Sequence, residues 1–258
     1  MSKEKDVVCP SGLSGRVRGL KGREFKLLSD RKQVKSGAAY QGILEGCWLT
    51  TDDDGQIYEF GGDRPKWGDV LIGDRMFLFI QIRLASYPGE DYDFRITCDG
   101  CGEPINWSVD LAKLPVQQLP AESAELFKNG NRFPFKIGEH QGHFKLMTGK
   151  DERRTAKLIK PNEVDFIGLL KERILDLDGK EGSHDIEKIL EDLDADEHRD
   201  LLDTFDLADC GVETSFDVIC SECGDHQEVE LPFGKEFLMP RRSRKKRQEM
   251  RIRDSSQQ

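Results

Sequence analysis

Two copies of one short motif, Cys98-Asp-Gly-Cys101-Gly102 and Cys220-Ser-Glu-Cys223-Gly224, restrict what this chain can fold into. Between Cys101 and Cys220 lie 118 residues. Two residues between cysteines let one tight turn aim both sulfurs at a single point. The glycine that follows permits the positive φ that such a turn uses. Two of these knuckles supply four thiolates, the closed tetrahedral ligand set of a structural zinc ion. Cys98, Cys101, Cys220 and Cys223 are therefore the expected metal ligands. Four thiolates leave no open position for water or substrate, which argues against a catalytic metal. Two other readings use the same residues: redox-active cysteine pairs, and thiols that are merely buried.

The repeat extends beyond the cysteines. Phe94-x3-Cys98 matches Phe216-x3-Cys220, and each copy runs through a short strand to a Leu-Pro step, Leu114-Pro115 and Leu231-Pro232. Residues 91–97 and 104–111 read as strands around the first knuckle, and 214–219 and 227–231 around the second. So long a spacer requires the ribbon to accommodate a helical insertion. Residues 150–209 supply it. Val164, Ile167, Leu170, Ile174 and Leu177 recur at helical spacing, as do Ile186, Ile189, Leu190 and Leu193. Asp194 followed by Glu197 reads as a capping box, and Gly211 as the stop of that last helix.

Elsewhere the pattern is mixed. Residues 10–20 suggest a turn and a short strand. Residues 24–36 and 38–49 read as helices with breaks at Ser29 and Gly37, and 51–62 as a polar loop. In 66–86 Met76, Leu78, Ile80, Ile82 and Leu84 alternate, yet a stretch of some 20 residues is long for a strand, so a buried helix is expected. Residues 132–137 and 143–147 flank a Gly-rich turn and read as a hairpin. The expectation is an α+β protein. Residues 1–90 form an N-terminal strand and helical region, 91–148 the first zinc knuckle and hairpins, and 149–211 an acidic helical insertion. Residues 212–240 carry the second knuckle, completing a zinc-ribbon-like β unit, and 241–258 form a basic disordered tail.

Charge separates the tail from the rest. Residues 241–258 hold eight basic and two acidic side chains, so a net charge of −10 overall leaves −16 on the other 240 residues. A body that acidic repels nucleic acid, and only the tail attracts it. No apolar run approaches the ~20 residues of a membrane span. The N-terminal residues lack the apolar core of a signal peptide, which implies a protein kept in the cytoplasm.

Other motifs fall short of chemistry. Cys9, Cys47 and Cys210 stand singly and read as small buried hydrophobes. His140-x-x-His143 has metal-like spacing but sits in a hairpin without neighbouring ligands. Asp176, Asp178 and Glu187 mimic a calcium loop, but Lys180 and Glu181 occupy the places of an oxygen ligand and a glycine. Gly149-Lys150 lacks the rest of a phosphate loop. No catalytic residue is assigned.

Taken in order, four segments resemble one family. They are Pro10-Ser-Gly-Leu-Ser-Gly-Arg-Val-Arg-Gly-Leu20, the block from Gly73-Asp-Arg75 through Gln81-Ile-Arg83 and Tyr87-x4-Tyr92-x-Phe94 to the first knuckle, Leu146-Met-Thr-Gly-Lys-Asp-Glu152, and the second knuckle with Leu231-Pro-Phe233. This series is similar to the T4-type baseplate hub assembly chaperones, or T4-type baseplate proteins, of phages with contractile tails. The resemblance implies a non-enzymatic assembly protein, a chaperone or minor baseplate component, whose partners are phage tail or hub proteins. It implies the bacterial host cytoplasm, or the virion tail baseplate, as its place. It offers no catalytic residue, and only the four cysteines transfer as a site. Two rivals remain: a zinc-ribbon nucleic-acid-binding protein that uses the basic tail, and a CxxC thiol oxidoreductase.

Met250 and Ile252 are the only apolar side chains in 241–258, so deleting the tail should leave fold and metal content intact. The melting temperature is expected to move by no more than about 2 °C, the scale of a surface change. A larger loss, measured by calorimetry, would show that the tail packs.

Overall fold

The structure, a computed structural model, describes residues 3–240 apart from 56, 88, 156–158 and 161–162, with backbone alone at 159, 160, 163 and 164. The basic tail and the side chain of Val164 lie outside the described residues. The fold is mixed helix and sheet, α+β as expected. It divides into two units, residues 1–91 with 110–214, and residues 92–109 with 215–258. The chain thus leaves the smaller unit after its first hairpin and re-enters it more than a hundred residues later. Among the described residues no helix is long and apolar enough to cross a membrane.

The larger unit opens with a three-stranded antiparallel sheet, in which Leu13–Arg18 runs between Glu4–Val8 and Trp48–Asp54. Leu13 and Val17 are buried by strand alternation, and Arg18 is buried with them. Arg18 is tolerated there because Glu24, at 2.7 Å, and the carbonyls of Gly19 and Gly46 accept its protons. Buried ions need such complete pairing, and removing one partner typically costs about 3–5 kcal/mol.

The apolar stretch resolves into the helix Ile72–Ser86. Leu78, Phe79, Ile80, Ile82 and Ala85 are all buried, along with Asp74, Arg75 and Arg83. A helix covered on so many sides loses its amphipathic period, which is why its sequence alternates like a strand. Asp194 and Glu197 form the expected capping box at the start of Ala195–Ala208.

Four local expectations are corrected. The second strand of the hairpin, read as 143–147, is His140–Phe144, so the turn spans only Gly138 and Glu139. Residues 48–54, read as the end of a helix and part of a loop, form an edge strand. Trp48 is buried edge-on to Trp67, its indole N–H donates to Thr51, and the acidic half of the strand remains exposed. Residues 174–177, read as helix, form a strand against His140–Phe144 in the sheet that also holds Phe133–Ile137. The helix Phe166–Arg173 stops because Ile174 and Leu177 are buried from the strand, while Asp176 receives Arg132 and His143. Gly211 does not end the helix Ala195–Ala208. The helix closes at Ala208 with Asp209 as cap, and Gly211 pairs with Gln117 in a short bridge.

Asp74 is the deepest acid, with no exposed surface. The Ser11 amide donates to one carboxylate oxygen at 3.0 Å, while the Ser11 hydroxyl and, at 2.7 Å, the Tyr58 hydroxyl donate to the other. Burial nevertheless outweighs these hydrogen bonds and pushes the carboxyl up to about 6. The folded state therefore holds this proton more tightly than the unfolded state. The resulting stability is fully present below the unfolded pKa of ~3.9 and is lost as pH rises through the folded value. Compared with Asp74→Asn, the wild-type protein is expected to lose roughly 2 kcal/mol between about pH 4 and pH 7. Urea unfolding at both pH values checks this, and a pH-independent difference would show that Asp74 titrates normally.

Candidate metal centre

In the smaller unit two short hairpins present the cysteines. Asp91–Thr97 pairs with Pro104–Asp110, and Ser215–Ile219 pairs antiparallel with His226–Glu230. Each knuckle is the turn of one hairpin. In the first, the Cys98 amide donates to the Glu103 carbonyl and the Gly102 amide to the Cys98 carbonyl, both at 2.9 Å. In the second, Cys220 donates to Asp225 and Gly224 to Cys220, again both at 2.9 Å. Gly102 and Gly224 have φ of +76° and +75°, the left-handed region that favours glycine. The same five-residue motif has thus produced the same turn twice.

The two turns bring all four sulfurs within 4.8 Å of one another. Cys98 Sγ lies 3.6 Å from Cys223 Sγ, and Cys101 Sγ lies 3.8 Å from Cys220 Sγ. A disulfide requires about 2.05 Å. Four thiolates around a tetrahedral ion with ~2.3 Å bonds stand about 3.8 Å apart. The donor set therefore fits a bound metal. The first cysteine of each knuckle, Cys98 and Cys220, is buried, and the second, Cys101 and Cys223, is exposed.

The electrostatics of the bare thiols agree. The backbone N–H groups of Cys223 and Glu222 point at Cys220 and lower its thiol to about 7. The Asp225 N–H favours a thiolate at Cys223, but the neighbouring Cys101, Cys98 and Cys220 sulfurs outweigh it and push that thiol up to about 12. Four sulfurs this close cannot all ionise by themselves, because like charges in contact repel. A cation removes that conflict. The Cys98 thiol also points at the Asp225 carboxylate, 4.0 Å away, a neighbour the cysteine spacing did not reveal.

The other candidate residues lie apart from this centre. Cys9, Cys47 and Cys210 are buried in the larger unit, and burial raises all three thiols, that of Cys47 to about 12. His140 and His143 bond to Asp178 at 2.7 Å and Asp176 at 3.0 Å. Glu187 pairs with Lys171 at 2.7 Å, so the three acids of the calcium-like spacing are committed to different partners. Among the described residues, the four cysteines are the group close enough to share an ion.

The family model described as T4 bacteriophage base plate protein matches residues 20–239, a span that includes both knuckles. No curated protein and no solved structure matches the chain.

Purified protein is expected to carry one metal ion per chain by elemental analysis. Cys98→Ser and Cys223→Ser should each lower metal content and reduce stability by about 2–4 kcal/mol, since each would remove one of four sulfurs placed to hold an ion between the two hairpins. Fully folded, metal-free protein at neutral pH would refute the site.

Proposed function

Because the chain belongs to the T4 bacteriophage base plate protein family, we propose that it assists construction of a contractile-tail baseplate or hub, as an assembly chaperone or minor structural component. In this reading it performs no reaction of its own. Its partners are other phage tail and baseplate proteins, and it works in the bacterial host cytoplasm before or while joining the tail. The observation that carries the proposal is the family match over residues 20–239, together with a ligand set made only of sulfur.

Zinc suits the centre best. Thiolates are soft ligands, and a small cation without geometric preference accepts four of them in a tetrahedron. Cys98, Cys101, Cys220 and Cys223 would hold it, and when bound it supplies a cross-link between two segments far apart in sequence. The chain's own contribution is to shape the knuckles, direct backbone N–H groups at the sulfurs and present a fixed surface. A closed set of four thiolates supports a scaffold role over a reactive one, because it offers no site for substrate.

Complementation of a phage that lacks this gene tests the role. A variant with both Cys98 and Cys223 changed to serine should produce few or no intact contractile tails by electron microscopy. Asp192→Ala and Asp203→Ala, at exposed positions of the helices Ser183–Asp192 and Ala195–Ala208, should support near-normal numbers. Such surface changes usually shift stability by less than about 0.5 kcal/mol. Normal tails from the cysteine variant would refute the scaffold. Complete loss from either aspartate variant, with fold and metal retained, would indicate a reacting group.

A further inference from the structure

The two knuckles are near copies, yet the second hairpin makes a side-chain contact on the first that the first has no residue to return. Gln227 lies in the strand His226–Glu230, seven residues past Cys220. Its side chain crosses to the other hairpin. The Asp99 amide donates to Gln227 Oε1 at 3.0 Å, and Gln227 Nε2 donates to the Thr97 carbonyl at 3.1 Å. These two backbone groups flank Cys98, so one side-chain amide grips the chain on both sides of that ligand. The amide is suited to this because it carries a donor and an acceptor side by side, and the backbone groups fix which end faces which. The equivalent position in the first copy, seven residues past Cys98, is Ile105, which cannot return the contact.

We propose that Gln227 is the positioning residue that holds the first knuckle in register with the second and thereby sets how tightly the centre retains its ion. The proposal rests on the metal reading above. The two knuckles have the same internal hydrogen bonds, and the Gln227 amide adds its hold to the first alone. Cys98 is the ligand at stake. Its sulfur is buried and stands 3.6 Å from Cys223 Sγ, so the path of the chain through Thr97 and Asp99 controls one edge of the ligand tetrahedron. The second hairpin also reaches the first through Asp225, whose carboxylate lies 4.0 Å from Cys98 Sγ. A Cβ on Gly100 would lie 2.9 Å from Asp225 Oδ2, so the knuckle's internal glycine leaves room for this approach. Groups that orient metal ligands without touching the metal commonly alter affinity 10–100-fold when removed.

The test uses full-length protein loaded with zinc and a chromophoric chelator in excess. Gln227→Leu removes both hydrogen bonds and should release zinc about 10-fold faster or more. Gln227→Glu keeps the acceptor for Asp99 but loses the donor to Thr97, and should release it at an intermediate rate. Glu228→Gln, the next residue of the same strand, should match wild type within about twofold, the scale of an ordinary surface change. Hydrogen exchange supplies a readout that general loosening would not mimic. In Gln227→Leu the Asp99 amide should exchange faster while the Cys220 amide stays protected. If Gln227→Leu fails to fold, the intermediate rate of Gln227→Glu decides the matter. Loaded wild type and Gln227→Leu releasing zinc at equal rates would overturn this inference alone, as would equal acceleration of both amides. Wild-type protein that yields no metal would overturn the reading of the centre and this inference with it.

Discussion

Four cysteine sulfurs carried by two distant segments lie within 4.8 Å of one another, and that clustering is the constraint on which the smaller unit depends. As thiolates they cannot share that space without a cation, and as thiols they give the hairpins little to hold on to. The described part of this unit, residues 92–109 and 215–240, is close to the size of about 40 residues below which domains usually need a metal, a disulfide or a partner. Its buried apolar side chains include Tyr92, Val218, Leu231 and Phe237. Tyr92 packs edge-on to Phe237 at 5.1 Å, and Phe233 stacks on Phe237 at 4.3 Å. A bound ion would make the meeting of the two knuckles, rather than this aromatic cluster, the main source of the unit's order.

The larger unit is built on the opposite principle. Leu13, Ile43, Leu44, Leu78, Ile80 and Phe144 are fully buried, and its charged interior groups are matched to specific partners. Arg18 and Glu24 satisfy each other, and Asp74 draws on Ser11 and Tyr58. Such networks specify one arrangement because any shift strands a polar group away from water. A metal is not required to explain this unit's order. The same chain therefore combines a conventional core with a small unit whose order is proposed to depend on an ion.

This division bears on assembly. In the proposed role the protein works by recognition and needs surfaces that keep their shape; a packed core would secure them in one unit and a bound ion in the other. The segment between the knuckles, 110–214, belongs to the larger unit, so the strands that carry the cysteines are joined to it at both Asp110 and Thr214. Closing a loop this long costs conformational entropy that grows only slowly with length, and a cross-link at its base offsets that cost. Gln227 ties the same two hairpins through hydrogen bonds.

Much of the centre was legible in the sequence because its geometry is local. Cys-x-x-Cys-Gly encodes its own turn: a carbonyl and an amide four residues apart, a glycine at positive φ and two sulfurs on one side. The Asp194 capping box was legible for the same reason, since its hydrogen bonds span three residues. What the sequence withheld depends on distant partners. The strand at 174–177 takes its hydrogen bonds from His140–Phe144, and the strand at 48–54 takes its own from Leu13–Arg18, so periodicity alone misread both. Gln227 looks like any polar strand residue until the fold sets it beside Thr97 and Asp99. The sequence determined that two sulfur knuckles would form and what each would look like. Only the tertiary structure decided that they meet, and which side chain holds one to the other, because that contact joins residues more than a hundred positions apart.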